Sequence, residues 1–296
     1  MLLMSLESKN IIFIAPRFHT NHFFFTKHLI KNNNKVYYYV EKKIGISNNK
    51  YVKPIKINFN NFLSFRYPIL NKNEFKKFDK SNTYVILRDP FYFKSIFYIL
   101  FFLKYNIIFY SQVDAAKLSV LNKLIIGLYT KLFNAKWMTP VCSGVIDFNK
   151  SLFYFPFIVE FTKTLKLKSV KSKNRTFTSI GKLQKRKNLI FLVKVFKENL
   201  KTNNNSRLNI ISSFHDKSGE DYLIKLKAFI SSNNLSPYIN LYVNVSHKMS
   251  LEILEHSDIF ILPSEKEIAS ISILEAFSKN LPVIVADDCG NSHYVS

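Results

Sequence analysis

Two carboxylates eight residues apart, Glu267 and Glu275, punctuate the stretch "PSEKEIASISILEAFSKNLPVIVADDCG" (263–290). On a helix, Glu275 has Ile271, Leu274 and Ser278 as its neighbours. An unpaired carboxylate on such a face would cost several kcal/mol, so Glu275 needs a partner. A pair of ligand hydroxyls, as on a ribose, is one choice; an ion pair with a lysine or arginine is the other. Glu267 falls in the loop between a strand-like "DIFILPS" (258–264) and a helix expected to begin at about Ala269. It reads either as an acceptor for a group held at that helix end, or as a solvated loop acid or helix cap. The first N–H groups of the helix, around Ala269, Ser270 and Ile271, are donors at the positive end of its dipole, where a phosphate can sit.

A second group of candidates lies upstream in "GKLQKRKN" (181–188). Gly181 permits a close backbone approach, and Lys182, Lys185, Arg186 and Lys187 follow at the carboxyl end of a strand. Lysines there can neutralise a pyrophosphate as point charges. Taken alone, the same turn reads equally as a solvated basic loop.

The elements that must position these residues follow from the alternation of short apolar runs with helical segments, the pattern of parallel α/β architecture. "NIIFIAP" (10–16), "KVYYYVE" (35–41), "TYVILRD" (83–89), "NIIFYSQ" (106–112) and "KWMTPV" (136–141) read as strands of a first domain, which "FYFPFIVE" (153–160) closes. Helices are expected near 92–104 and 117–132. The rhythm restarts with "TFTSIGK" (176–182), "RLNIISS" (207–213), "INLYVN" (239–244), "DIFILPS" and "LPVIVAD" (281–287). The fold class is therefore α/β, with a domain over 1–160, a charged linker over 161–175 and a second domain over 176–296. Two such Rossmann-like domains are expected to face each other across a cleft, with ligands at the carboxyl ends of the strands.

Composition bounds the function. The net charge of +23, from 43 Lys and Arg against 20 Asp and Glu, suits an anionic membrane surface, a phosphate-bearing substrate or nucleic acid. No nucleic-acid module is recognisable, and abundant Lys, Asn, Ile, Phe and Tyr with scarce Gly, Pro and Trp is also the usage of an AT-rich genome. No apolar run reaches the length of a spanning helix; the nearest, "SIFYILFFL" (95–103), is bracketed by Lys94 and Lys104. That segment reads as a core helix, or as one whose aromatic face rests on anionic lipid. The start, "MLLMSLESKN", does not resemble a secretory signal, so a cytoplasmic protein is expected. Cys142 and Cys289, far apart, suggest free thiols and neither a disulfide framework nor a metal site.

"FTSIGKLQKRKNLIFLVKVF" followed by "HSDIFILPSEKEIASISILEAFSKNLPVIVAD" resembles the donor-binding domain of the retaining nucleotide-sugar glycosyltransferases of family four, which have the GT-B fold. The resemblance covers about 175–296. It implies that Glu267 faces the donor sugar as the catalytic-site glutamate and that Glu275 binds the nucleotide ribose. Lys182, where the family commonly has Arg, and Lys187 would contact the pyrophosphate. Gly181 would approach it, and the N–H groups of Ala269 to Ile271 would cradle the distal phosphate. It further implies a nucleoside diphosphate sugar as donor, a glycan or lipid-linked acceptor, and transfer with retention in surface polysaccharide or lipopolysaccharide assembly. No cofactor and no bound metal are expected. The chain would work in the cytoplasm, with peripheral contact at the inner face of the cytoplasmic membrane.

The chain also departs from the family. Ile268, Ala269 and Ser270 replace the usual Gly-Phe-Gly, and "PRFHTNHFFF" lacks the Gly-rich turn after the first strand, where His19 or His22 could serve. Relative to the family the second domain is expected to be incomplete, since the chain stops at Ser296. The competing expectation is a non-catalytic, truncated relative that binds nucleotide or an anionic membrane. A glycosidase fits less well, because its carboxylates flank a sugar bond rather than precede phosphate-binding features.

Overall fold

The computed structural model describes residues 7–18, 20–42, 52–62, 65–88, 91–112, 118–141, 152–161, 175–287, 289 and 292–295. It divides into two units, Met1–Ile158 and Val159–Ser296. Most of the linker expected over 161–175 lies outside the described residues.

In the first unit β1 (Asn10–Ala15) leads through α1 (Phe23–Lys31) to β2 (Lys35–Val40) and the short β3 (Ile55–Lys56). A hairpin of β4 (Asn58–Phe62) and β5 (Phe65–Ile69) and a turn of helix, α2 (Lys72–Phe75), precede β6 (Thr83–Arg88). Then come α3 (Phe93–Phe101), β7 (Asn106–Tyr110), α4 (Val120–Phe133), β8 (Lys136–Thr139) and β9 (Leu152–Tyr154). Seven strands pair in parallel in the order β3-β2-β1-β6-β7-β8-β9. Sequence alternation does not reveal β3, β4 and β5, because Asn and Lys dilute their apolar pattern. One sheet face buries Val85, Leu87, Ile107, Phe109 and Trp137 against Tyr98 and Ile99 of α3, Phe102 just beyond it, and Tyr129 and Phe133 of α4. The segment expected as one helix from 92 to 104 is thus α3, which packs one side on this core.

The second unit repeats the plan with β10 (Thr176–Lys182), α5 (Leu189–Leu200), β11 (Arg207–Ser213), α6 (Lys217–Ser232) and β12 (Ile239–Val243). It continues with α7 (His247–Glu255), β13 (Ile259–Leu262), α8 (Ile271–Ser278) and β14 (Val283–Val285). The five strands are parallel in the order β12-β11-β10-β13-β14. Leu192, Val193 and Phe196 of α5 and Leu226 and Ile230 of α6 share one buried cluster with β11; Leu254 of α7 and Ile273 and Ala276 of α8 share another with β13. Among the described residues no helix is long and apolar enough to cross a membrane.

Only six glycines serve the whole chain. Left-handed backbone positions fall instead to asparagine: Asn33, Asn134, Asn188, Asn234, Asn244 and Asn280 all have φ between 53° and 60° except Asn134, at 47°. Asparagine tolerates this region through its short polar side chain, which explains how so glycine-poor a chain ends its helices. The glycines that remain are not equivalent. A Cβ on Gly219, in the first turn of α6, would lie 2.4 Å from the Phe214 Cβ, whereas nothing approaches within 4 Å of one on Gly127 in α4. Gly127→Ala should therefore stabilise the protein by about 0.5–1 kcal/mol through helix propensity. Gly219→Ala should destabilise by about 1–3 kcal/mol through overpacking, a reversal of sign that urea denaturation of the two variants will read.

Candidate functional site

The strand order of the second unit reverses between β10 and β13. From β10 the chain builds outward through β11 to β12, then returns to place β13 on the other side of β10. The loops leaving the carboxyl ends of β10 and β13 diverge from such a point, the place where open parallel sheets bind ligands. One loop carries the basic turn and the other carries Glu267 and leads into α8, which carries Glu275.

The structure ties the loops together. The Glu265 N–H donates to the Arg186 carbonyl at 2.8 Å, and the Asn188 side-chain amide donates to Glu265 Oε1 at 2.9 Å. Between these contacts Lys266 takes a left-handed conformation, with φ of 51°. For a lysine this is an uncommon backbone state. It separates two neighbouring glutamates: Glu265 is exposed at the Asn188 contact, and Glu267 is buried. Glu267 Oε2 accepts from Arg186 Nη1 at 2.8 Å and from Lys187 Nζ.

Lys187 is itself buried, with 6% of its surface exposed. Gly181 makes room for it: a Cβ there would lie 3.2 Å from Lys187 Cδ and 3.3 Å from Cε. The close approach that Gly181 permits is thus, in this structure, that of the Lys187 stem. Burial lowers the Lys187 pKa from the ordinary lysine value, with the Glu267 carboxylate opposing that shift and Arg186 adding to it. A lysine so placed gains from any further anion. Lys182 is exposed at the end of β10, paired in register with Ser213.

Glu275 is buried on α8, and Nε2 of His247, the first residue of α7, meets its Oε1 at 2.7 Å. The His247 pKa is raised chiefly by this hydrogen bond, with burial working against it. The partner of Glu275 in the protein is thus a histidine rather than the lysine or arginine weighed from sequence. Sequence reasoning passed over His247; its position just past the carboxyl end of a parallel strand, with Ser246 capping the helix, is the signal that could have found it. One Glu275 oxygen engages the imidazole, and a carboxylate has acceptor sites to spare for ligand hydroxyls.

The helix expected at about Ala269 begins at Ile271, because Ser270 is extended (φ −111°, ψ 120°). Ala269 therefore precedes the helix, half-buried in the loop. Ser270 occupies the cap position without capping; its hydroxyl lies 2.7 Å from that of Ser272. The first-turn N–H groups of α8 have no acceptor within the helix, as at any helix start. The nearby Ser264 hydroxyl is fully buried and has no hydrogen-bond partner among the described residues.

Other expectations fall elsewhere. His22 is a core histidine of the first unit: its Nδ1 and the Tyr38 hydroxyl are 2.5 Å apart, and its ring packs on Phe13 and Tyr110. Burial raises the Tyr38 pKa well beyond its ordinary value. His19 and Cys142 lie outside the described residues, and Cys289 is a buried thiol. Among the described residues no cluster of three or more His, Cys, Asp or Glu could hold a metal ion.

The family model described as Glycosyl transferases group 1 matches residues 161–296. An uncharacterized glycosyltransferase of Methanocaldococcus jannaschii is 32% identical over 111 residues, which make up 38% of this chain and 25% of that one. The match thus spans a quarter of that relative's length. A glycosyltransferase from Rickettsia africae superposes with a TM-score of 0.68 at 13% identity, covering 98% of this chain and 82% of the other. WaaG, a glycosyltransferase involved in lipopolysaccharide biosynthesis, gives 0.58 at 13% identity, covering 96% and 83%. These structural likenesses show the fold, two Rossmann-like units of the GT-B class.

The His247–Glu275 contact has a pH signature. Since folding raises the affinity of His247 for its proton, the pair's stabilising contribution is complete below the ordinary imidazole value of 6.5 and is lost as pH rises through the elevated folded value. An NMR titration should place the His247 pKa above 6.5 in the native protein and below that in Glu275→Gln, where burial acts unopposed.

Proposed function

Because residues 161–296 match the family model of the group 1 glycosyl transferases, we propose that the protein moves a sugar from a nucleoside diphosphate sugar to a glycan or lipid-linked acceptor, with retention of anomeric configuration. The observation that carries this reading is the meeting of Arg186, Lys187 and Glu267 at the reversal point of the sheet, beside the start of α8 and the buried Glu275.

Each residue has a role that its surroundings allow. When the bond between the anomeric carbon and the phosphate oxygen breaks, its electron pair leaves with the diphosphate. Lys187, Arg186 and the first N–H groups of α8 supply positive charge and donors for that developing charge, fixed in place before the reaction. Lys182 adds a cation from the end of β10. Glu275 accepts hydrogen bonds from the ribose hydroxyls, its carboxylate oriented by His247. Glu267 holds the two cations until the diphosphate engages them and then faces the sugar, helping to place the anomeric carbon. On this reading the cations carry the role that a metal would otherwise fill. Surface polysaccharide or lipopolysaccharide assembly is the setting proposed, in the cytoplasm with peripheral contact at the inner face of the membrane. The involvement of WaaG in lipopolysaccharide biosynthesis supports it.

Calorimetry on two variants separates the roles. Glu275→Gln should weaken a nucleoside diphosphate and its sugar conjugate alike by roughly tenfold or more, since both carry the ribose. Glu267→Gln should spare or tighten the free diphosphate, because it releases Arg186 and Lys187, while depressing turnover of the nucleotide-sugar. Unchanged diphosphate affinity in folded Glu275→Gln would show that Glu275 serves only its ion pair with His247.

A further inference from the structure

The leucines of α4 and Phe93 and Phe97 of α3 leave one side of the first unit apolar and exposed. The opposite face of its sheet, where Phe13 packs on Phe25 of α1, ends in a polar cluster that donor binding leaves unexplained. Here too the strand order reverses: from β1 the chain builds through β2 to β3, then returns to place β6 on the other side of β1. Arg88, half-buried, is the last residue of β6 and lies in register with Tyr110, the last of β7. The rings of Tyr110 and His22 have centroids 5.0 Å apart, and His22 Nδ1 meets the Tyr38 hydroxyl. The Arg88 charge favours ionisation of that hydroxyl, which places the two near each other, but burial prevails and Tyr38 keeps its proton. Just past Tyr110, Ser111 Oγ and Gln112 Nε2 are buried and have no hydrogen-bond partner among the described residues.

We propose that this end of the first unit's sheet, with Arg88 at its centre, binds a phosphoryl group, and that the acceptor of the sugar carries it. The site stands on the first unit alone; its assignment to the acceptor rests on the transfer proposed above. Charge and unmet donors select the ligand. Among the described residues just past the carboxyl ends of β1, β2, β6 and β7, and at the start of α3, the cations are Arg17, Lys42, Arg88 and Lys94 and the single acid is Glu41. Lys94 takes that acid at 2.7 Å. A guanidinium offers a planar fork of donors that fits two oxygens of one phosphate, and the Gln112 amide adds a donor beside it. A neutral glycan would leave the excess of cation uncompensated, whereas a phosphate brings both charge and acceptors. Interlocked buried rings of His22, Tyr38 and Tyr110 form the floor under Arg88. The donor's diphosphate has its own cations, Arg186 and Lys187, in the second unit, so a phosphoryl site in the first is for the other substrate.

The test is an NMR titration of the whole chain with inorganic phosphate, read at the Arg88 Nε–H and the Gln112 side-chain amide. Both signals should move in the wild type. In Arg88→Gln, phosphate should bind about tenfold or more weakly, read at Gln112; in Gln112→Leu, about threefold or more weakly, read at Arg88. Calorimetry should find nucleoside diphosphate affinity unchanged in both variants, whereas Lys187→Met should lose that affinity and keep the phosphate response at Arg88. Signals that phosphate leaves unmoved in the wild type would overturn the site, as would equal phosphate affinity in either folded variant. A loss of nucleoside diphosphate affinity in Arg88→Gln that matches the loss in Lys187→Met would give the site to the donor and overturn its assignment to the acceptor. Should no nucleoside diphosphate bind the wild type, the donor reading fails, while the phosphate titration still decides the Arg88 site.

Discussion

A lysine withdrawn from water requires an anion beside it, and the contact of Lys187 with Glu267 is the constraint on which the second unit's site depends. Removing one partner of such a buried pair typically costs about 3–5 kcal/mol, so the contact holds its two loops in register. The rest is arranged around it. Gly181 omits a side chain where the lysine stem passes, Lys266 accepts a left-handed backbone, and Asn188 and the Glu265 N–H close the seam on either side. The same pair makes the site responsive. Burial lowers the lysine's hold on its proton while the carboxylate supports it, so an arriving phosphate competes with Glu267 for a cation already fixed in place.

Much of this was legible in the sequence, and the parts that were not share a cause. The parallel α/β plan could be read because its strands are buried on both faces and give uninterrupted apolar runs, as in "DIFILPS" and "NIIFIAP". The two glutamates and the lysine turn were visible because charge beside an oily stretch is costly. The identity of their partners was not. Glu275 meets a histidine 28 residues away, on a helix that follows another strand, and Glu267 meets a lysine 80 residues away. Such pairings are set by the order of strands in the sheet, which periodicity along the chain does not encode. The glycine at 181 signalled a close approach but not by what. The start of α8 shifts from Ala269 to Ile271 for a local reason, the extended backbone of Ser270.

The two units divide the physical work differently. The second concentrates cations and acceptors at a point where strands diverge, and its buried surfaces are ordinary. The first sequesters His22 in an aromatic core and shows its peculiarity outside, on α3 and α4. A biased composition runs through both. Asparagine stands at most left-handed positions among the described residues, and lysine supplies most of the net charge. Composition therefore explains how much charge the chain has, while structure explains where charge acts. Lys187 is buried against Glu267, whereas Lys123 and Lys131 line a leucine stripe.

The central claim is that the paired loops after β10 and β13 bind the diphosphate of a nucleotide, with Lys187 as the cation at its centre. Calorimetric titration of the wild type and of Lys187→Met with a set of nucleoside diphosphates tests it most directly. The account predicts that at least one binds the wild type, and that the variant binds it roughly tenfold or more weakly while remaining folded. Equal affinity in the two proteins, or no binding of any nucleoside diphosphate to the wild type, would contradict it.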